Sequence, residues 1–374
     1  MKLKKFKWYK SLLVCLFFLM IISIITIHSA QTYLSANLGN LALKQLFWYG
    51  IGLIIILVII KIGNEKIYKS AWIIYFLGNF LLLLLLFIAP PINNSKCWFI
   101  IPGIGSFQPS EFMKIFLMII VSVIVAKEST KKKSIREELF LIGKIFLLFL
   151  LPSLLTFLEP DTGVVIIYFI ICLAILFVSG IRKGWFILAG GILVIGIGGF
   201  LYLYFCQQKL FVDLLGTDLF YRIDRLLDWK NGTGMQLENS LTAIGSAGLW
   251  GHGYNQTPIY FPESGTDFIF AVYASNFGLI GSLVLIGLLF YFDYCLLKLA
   301  RSIKNNTDKF MLIGISSMLI FQQFQNIAMT LGLMPITGIT LPFISYGGSS
   351  LLSYMILLGI VFNIYNDNKK SVNF

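Results

Sequence analysis

Few residues in this chain are charged, and four small groups of them have the types and spacing that chemistry needs. In SFQPSEFMK, Glu111 and Lys114 lie three residues apart, on one face of a helix. They suit either an internal ion pair or a cation reaching an anionic headgroup. In LEPDTG, Glu159 and Asp161 flank Pro160, and Asp161 also suits a helix N-cap. In YRIDRLLD, Arg222 and Arg225 form a fork matched to phosphate or pyrophosphate, or they pair locally with Asp218 and Asp228. In FPESGTDFIF, Glu263 and Asp267 lie four residues apart, where a polar loop turns into a long apolar run. Asp267 suits a plain N-cap or, held at membrane depth, a general base.

The elements that must position these groups are membrane helices. The chain has 374 residues, 58% hydrophobic and only 12% charged, with 34 phenylalanines. That composition exceeds what a soluble core needs. About 20 mostly apolar residues cross the hydrocarbon of a bilayer. Ten stretches qualify: 11–29, 43–62, 70–89, 110–126, 140–157, 162–180, 184–206, 267–297, 309–332 and 347–365. The first resembles a signal peptide at its ends, but its apolar run is long and nine more follow, so it reads as a retained helix. The expectation is an all-α polytopic membrane protein forming a single domain over 1–374.

The formal charge of +12 does not indicate nucleic acid, because the lysines and arginines sit in short clusters between apolar runs. MKLKKFKWYK, KIGNEKIYK, KESTKKKSIR, IRKG, KLARSIKNNTDK and NDNKK all fall on one side of a ten-span chain. By the positive-inside bias that side is cytoplasmic, with both termini, and the clusters meet anionic membrane lipids. The large external loop is then 207–266, between the seventh and eighth helices. Leu210, Leu214, Leu215, Leu219, Ile223, Leu226 and Leu227 give its first part the pattern of an amphipathic surface helix. Its second part, AIGSAGLWGHGYNQ, is glycine-rich and predicts a turn-rich loop without regular helix. LMPITGITLPFISYGGSS breaks an apolar region and must be buried in protein or line a wet cavity. Five scattered cysteines and two histidines give no disulfide framework and no metal site. From the residues alone, the charges describe an externally facing cavity for a phosphorylated headgroup, fitting a lipid-linked substrate or a transported solute.

Six motifs then carry a resemblance over nearly the whole chain: FQPSEFMK, EPDTG, YRIDRLLD, NSLTAIGSAGLWGHG, FPESGTDFIFAV and NIAMTLGLMPITGITLPFISYGGSS. The chain resembles the SEDS family (RodA, FtsW, SpoVE), and is most like the RodA branch. The resemblance implies a peptidoglycan glycosyltransferase of the bacterial cytoplasmic membrane. It would polymerise lipid II on the outer face for cell elongation and shape, beside a class B penicillin-binding protein that crosslinks the product. It implies Asp267 as the catalytic carboxylate. Glu111, Lys114, Asp161, Arg222, Arg225, Gln236, Ser240, Glu263, Ser345 and Ser349 would bind substrate, with Lys114 and the two arginines offsetting the pyrophosphate. No cofactor is evident in the residues, although the resemblance implies a divalent cation, magnesium or manganese. Four positions depart from the family pattern: Ser275 and Asn276 replace an acidic pair, Cys97 an arginine, and Ala247 a glycine. Two alternatives stay open at this point, a flippase for lipid II and a catalytically weak scaffold that recruits the penicillin-binding protein.

Overall fold

An apolar stretch inside a bilayer has no water to satisfy its backbone, so it closes its own hydrogen bonds as helix. The computed structural model describes residues 6–31, 40–90, 96–101, 105–128, 134–217 and 235–371. Its helices are α1 (Lys10–Gln31), α2 (Leu41–Ile62), the short α3 (Asn64–Lys69), α4 (Ala71–Ile88), α5 (Pro109–Glu128), α6 (Ile135–Leu158), α7 (Thr162–Val178) and α8 (Lys183–Cys206). They continue as α9 (Gln208–Leu215), α10 (Met235–Ser246), α11 (Ile269–Ser302), α12 (Asn306–Thr330) and α13 (Gly348–Ser371). Among the described residues nine of these are long and apolar enough to cross a membrane. The shorter apolar α7 makes the tenth predicted span. A two-stranded hairpin, β1 (Phe99–Ile101) and β2 (Gly105–Phe107), precedes α5.

The two chain ends meet on one face. The Lys7 amide donates to Asn366 Oδ1 at 3.1 Å, and the Tyr9 and Tyr365 rings stack at 4.5 Å. On the opposite face lie the hairpin, the 159–161 turn, the loops before α11 and the start of α13. The hub is α5, which packs on α4, α6, α7, α12 and α13. By contrast α8 buries none of its apolar window in the protein and touches α9.

Three elements differ in detail from the sequence reading. α10 runs on through Ala243, Ile244, Gly245 and Ser246, which the glycine content had suggested would be irregular. Ala243 is fully buried, and Gly245 near the helix end meets no neighbour, so packing outweighs the glycine penalty. The surface helix is seen as α9 only; positions 218–234, with Arg222 and Arg225, lie outside the described residues. Finally, α11 is broken at Gly278, whose φ of 66° favours glycine. The loop 248–253 enters that break. Leu279 N donates to Gly248 O (3.0 Å) and Ile280 N to Leu249 O (3.2 Å). In return His252 N donates to Ser275 O (2.9 Å) and Gly253 N to Asn276 O (3.2 Å). The segment 279–302 is about 36 Å long at about 1.5 Å per residue, enough to cross alone. Ile269–Asn276 is therefore a separate half-helix, and all eight of its residues are buried.

Candidate functional site

Asp267 lies just before this half-helix, on a loop held by its backbone. Three consecutive carbonyls of the loop are each bound from elsewhere in the chain. Tyr346 N donates to Gly265 O at 2.9 Å, Ser345 Oγ to Thr266 O at 2.6 Å, and Asn326 Nδ2 to Asp267 O at 2.7 Å. Two of these donors come from the broken segment between α12 and α13, and the third comes from α12. Gln325 Nε2 binds the same segment at Pro335 O (3.0 Å) and Thr337 Oγ1 (3.2 Å), and Asn326 Nδ2 also binds Ile339 O (2.8 Å). The segment's non-helical backbone is largely buried over 339–345, whereas 331–338 is half-buried or exposed and its Pro335 carbonyl is held by Gln325.

The segment also joins Asp267 to Asp161. A Cβ at Gly338 would lie 3.6 Å from Asp267 Oδ2, so this glycine walls the carboxylate. A Cβ at Gly163, on the first turn of α7, would lie 2.7 Å from Thr337 O. The start of α7 therefore rests on the same strip of chain. Asp161 caps α7: its Oδ1 accepts Val164 N at 3.2 Å. Its Oδ2 accepts Gln108 Nε2 at 2.9 Å and Ser110 Oγ at 3.3 Å. Asp267 has no such role, since the N-cap of α11 is Phe268, without a side-chain bond. Among the described residues no donor holds the Asp267 carboxylate.

Both carboxyls are half-buried and titrate high. Loss of solvent pushes Asp267 up to about 7, helped by the negative charges of Glu263 and Asp161. Burial pushes Asp161 up to about 6 and Glu111 adds to the rise, while the Val164 amide, Lys114 and Ser110 act against it. Asp161 thus feels the Glu111–Lys114 pair, and its charge in turn acts on Asp267. Glu263 is exposed, and its Oε2 accepts Thr266 Oγ1 at 2.7 Å.

Lys114 has no exposed surface. Its Nζ meets Glu111 Oε2 at 2.7 Å and lies 5.5 Å from the centre of the Tyr354 ring. Of the two sequence readings of this pair, the internal ion pair is the one observed. Glu159 is also fully buried, and both its carboxylate oxygens lack a partner. Burial, with Asp161 nearby, pushes it up to about 9. Cys97 Sγ donates to Glu159 O at 2.8 Å.

Other expected site residues act as staples. Ser345 accepts Leu341 N at 2.8 Å besides holding Thr266. Ser349 accepts Gln108 N at 3.0 Å and donates to Ser106 O at 3.2 Å, which fixes the hairpin to α13. Ser240 is buried and donates to Thr330 O at 3.0 Å; Gln236 is half-buried on the same helix. Ser275 and Asn276 sit at the Gly278 break, not beside Asp267. Ser275 Oγ meets His252 Nδ1 at 3.2 Å, and Asn276 Nδ2 donates to Ser29 Oγ at 2.7 Å. Sequence reasoning missed Gln108, Gln325, Asn326, Gly338 and Tyr354. The available signal was QQFQN inside an apolar span, where uncharged amides are costly enough to ask what they bind.

Ten apolar helices among the described residues, with Asp161, Asp267 and Glu111 near one another at one end, define a polytopic membrane protein. The chain belongs to the FtsW/RodA/SpoVE family: that family's model, described as "Cell cycle protein", matches residues 9–370. A protein of Haemophilus influenzae named probable peptidoglycan glycosyltransferase FtsW is 30% identical over 367 residues, covering 94% of this chain and 88% of that one. Two solved structures share the fold. One is from a peptidoglycan synthase complex coordinating polymerization and crosslinking (TM-score 0.80, 24% identity, 97% of this chain and 99% of that chain). The other is Thermus thermophilus RodA (TM-score 0.71, 24% identity, 96% and 97%).

Proposed function

We propose that this protein is a peptidoglycan glycosyltransferase that polymerises lipid II, with the reaction centred on Asp267 at the outer face of the cytoplasmic membrane. The observation that carries this reading is a half-buried carboxylate, bound by no donor among the described residues and set beside a second acid, in a chain 30% identical to a protein named for that activity. Asp267 takes the proton of the attacking sugar hydroxyl as its oxygen bonds to the anomeric carbon of the second, lipid-linked sugar. The bond from that carbon to the pyrophosphate oxygen breaks, and the lipid pyrophosphate leaves with the electron pair. A carboxyl near neutrality is ionised enough to accept this proton and basic enough to hold it. By the family resemblance Arg222 and Arg225, which lie outside the described residues, offset charge on the departing pyrophosphate, while Lys114 acts through its field on Asp161. Glu263 is exposed four residues before Asp267, and Gln236 is half-buried on α10.

Among the described residues no three His, Cys, Asp or Glu side chains converge on a metal position, so no step is routed through a divalent cation. The basic clusters put both chain ends in the cytoplasm and the pocket outside, where a lipid headgroup enters laterally. The partner is a class B penicillin-binding protein, and the role is cell elongation. The test is glycan product from lipid II and purified protein, with and without that partner. Wild type should polymerise. Asp267→Asn, at equal protein level, should lose about 10²- to 10⁴-fold. Full activity of Asp267→Asn would remove the carboxylate from the reaction, and absence of glycan product from wild type even with the partner would leave a scaffold. Lipid II crossing liposomes without glycan formation would make the protein a flippase.

A further inference from the structure

The geometry points to Asn326 as the positioning residue that sets the Asp267 carboxylate against its glycine wall; this rests on the proposed role of Asp267. Asn326 is fully buried one turn before the end of α12. Its Nδ2 donates to Asp267 O at 2.7 Å and to Ile339 O at 2.8 Å, which uses both of its hydrogens. The amide cannot be turned over, because its oxygen would then face two carbonyl oxygens at those distances. In the observed orientation Oδ1 is buried without a partner. The side chain thus gives up one hydrogen bond to hold two carbonyls from segments about seventy residues apart.

What those carbonyls fix is the carboxylate. No donor among the described residues binds the Asp267 side chain, so its place is set through its main chain. Ile339 follows Gly338, whose absent Cβ leaves the space beside Asp267 Oδ2. One amide therefore spans the wall and the residue that faces it. Ser345 and Tyr346 hold Thr266 and Gly265 but do not reach Ile339. Gln325 holds Pro335 and Thr337 but does not reach Asp267. Ser345 ties Thr266 to Leu341, but among the described side chains only Asn326 binds Asp267 and Ile339 themselves. A shift of about 1 Å in such a gap is enough to cost about 10²-fold in rate.

The test separates placement from catalysis. Cys206 is the one exposed native cysteine, and the other four are buried, so Cys206→Ser gives a quiet background. Asp267→Cys is introduced there and its modification rate measured with a charged, membrane-impermeant methanethiosulfonate. The measurement is repeated with Asn326→Ala and with the near-isosteric Asn326→Asp, which cannot donate to both carbonyls. Glu263→Cys on the exposed loop is the control. The expected result is a change of about threefold or more at position 267 in both Asn326 variants, with position 263 unchanged. An unchanged rate at 267 overturns the proposal, and so does an equal change at 263, which would mean general loosening. In the otherwise unmodified enzyme, Asn326→Asp should lower kcat for lipid II by at least about tenfold with KM within about twofold. A rise in KM with kcat intact would also overturn it. If the thiol rates change as expected but Asp267→Asn polymerises normally, the positioning stands and the catalytic role of Asp267 falls; if they change but wild type forms no glycan with its partner present, the glycosyltransferase reading falls.

Discussion

Glycan synthesis should rise about tenfold between pH 6 and pH 8, and Glu263→Gln should move that rise to lower pH. A base works only when ionised. With Asp267 at about 7, about a tenth of the protein is competent at pH 6 and about nine-tenths at pH 8. Two influences oppose each other here. The N-terminus of the half-helix favours the charged form, and desolvation disfavours it. Burial wins, and the like charges of Glu263 and Asp161 add to it. Glu263 is exposed, so replacing it with glutamine removes a like charge without opening a buried site. The half-maximum should fall, and the plateau at high pH should stay. High salt should partly mimic the substitution, since about 1 M salt screens exposed charges beyond about 3 Å. The assay is the initial rate of polymer formation from lipid II in a series of buffers at fixed ionic strength. A flat profile from pH 6 to pH 8, or an upward shift in Glu263→Gln, would refute this account of Asp267.

Lys114→Met should cost about 3–5 kcal/mol of stability by leaving Glu111 charged and buried, and adding Glu111→Gln should restore most of it; thermal unfolding in detergent measures both. Glu159 titrates at about 9 when folded, far above an exposed carboxyl, so its ionisation opposes folding. That cost is absent below about pH 4.5, grows as pH rises and reaches about 3 kcal/mol at pH 7. Glu159→Gln should therefore be the more stable protein at pH 8 and equal to wild type near pH 4.5, as unfolding midpoints across pH will show. Gly278→Ala places a Cβ 2.4 Å from Gly251 N and 2.5 Å from Leu249 O at a positive φ. It should expel the 248–253 loop, at a cost of more than about 1 kcal/mol, and expose Trp250 and its neighbours to faster proteolysis.

Ten spans were legible in the sequence because hydrocarbon imposes a length and a composition that no tertiary contact can override. The same constraint made Glu111, Lys114, Asp161 and Asp267 visible, since a charge at an apolar boundary needs a reason. Sequence could not rank the competing roles of those charges. Whether Lys114 faced a headgroup or Glu111 depended on where the Tyr354 ring lay, and that is set by α13, some 240 residues away in the chain. Whether Asp267 capped its helix depended on the loop 263–268, which Ser345, Tyr346 and Asn326 hold from distant elements. Ser275 and Asn276 looked like lost charges of an active site; only the docking of 248–253 into the break at Gly278 placed them elsewhere. Hydrophobic length is a local property and can be read from a string of residues. The partner of a buried amide or carboxyl is chosen by how helices far apart in the chain pack together, and that choice exists only in the folded protein.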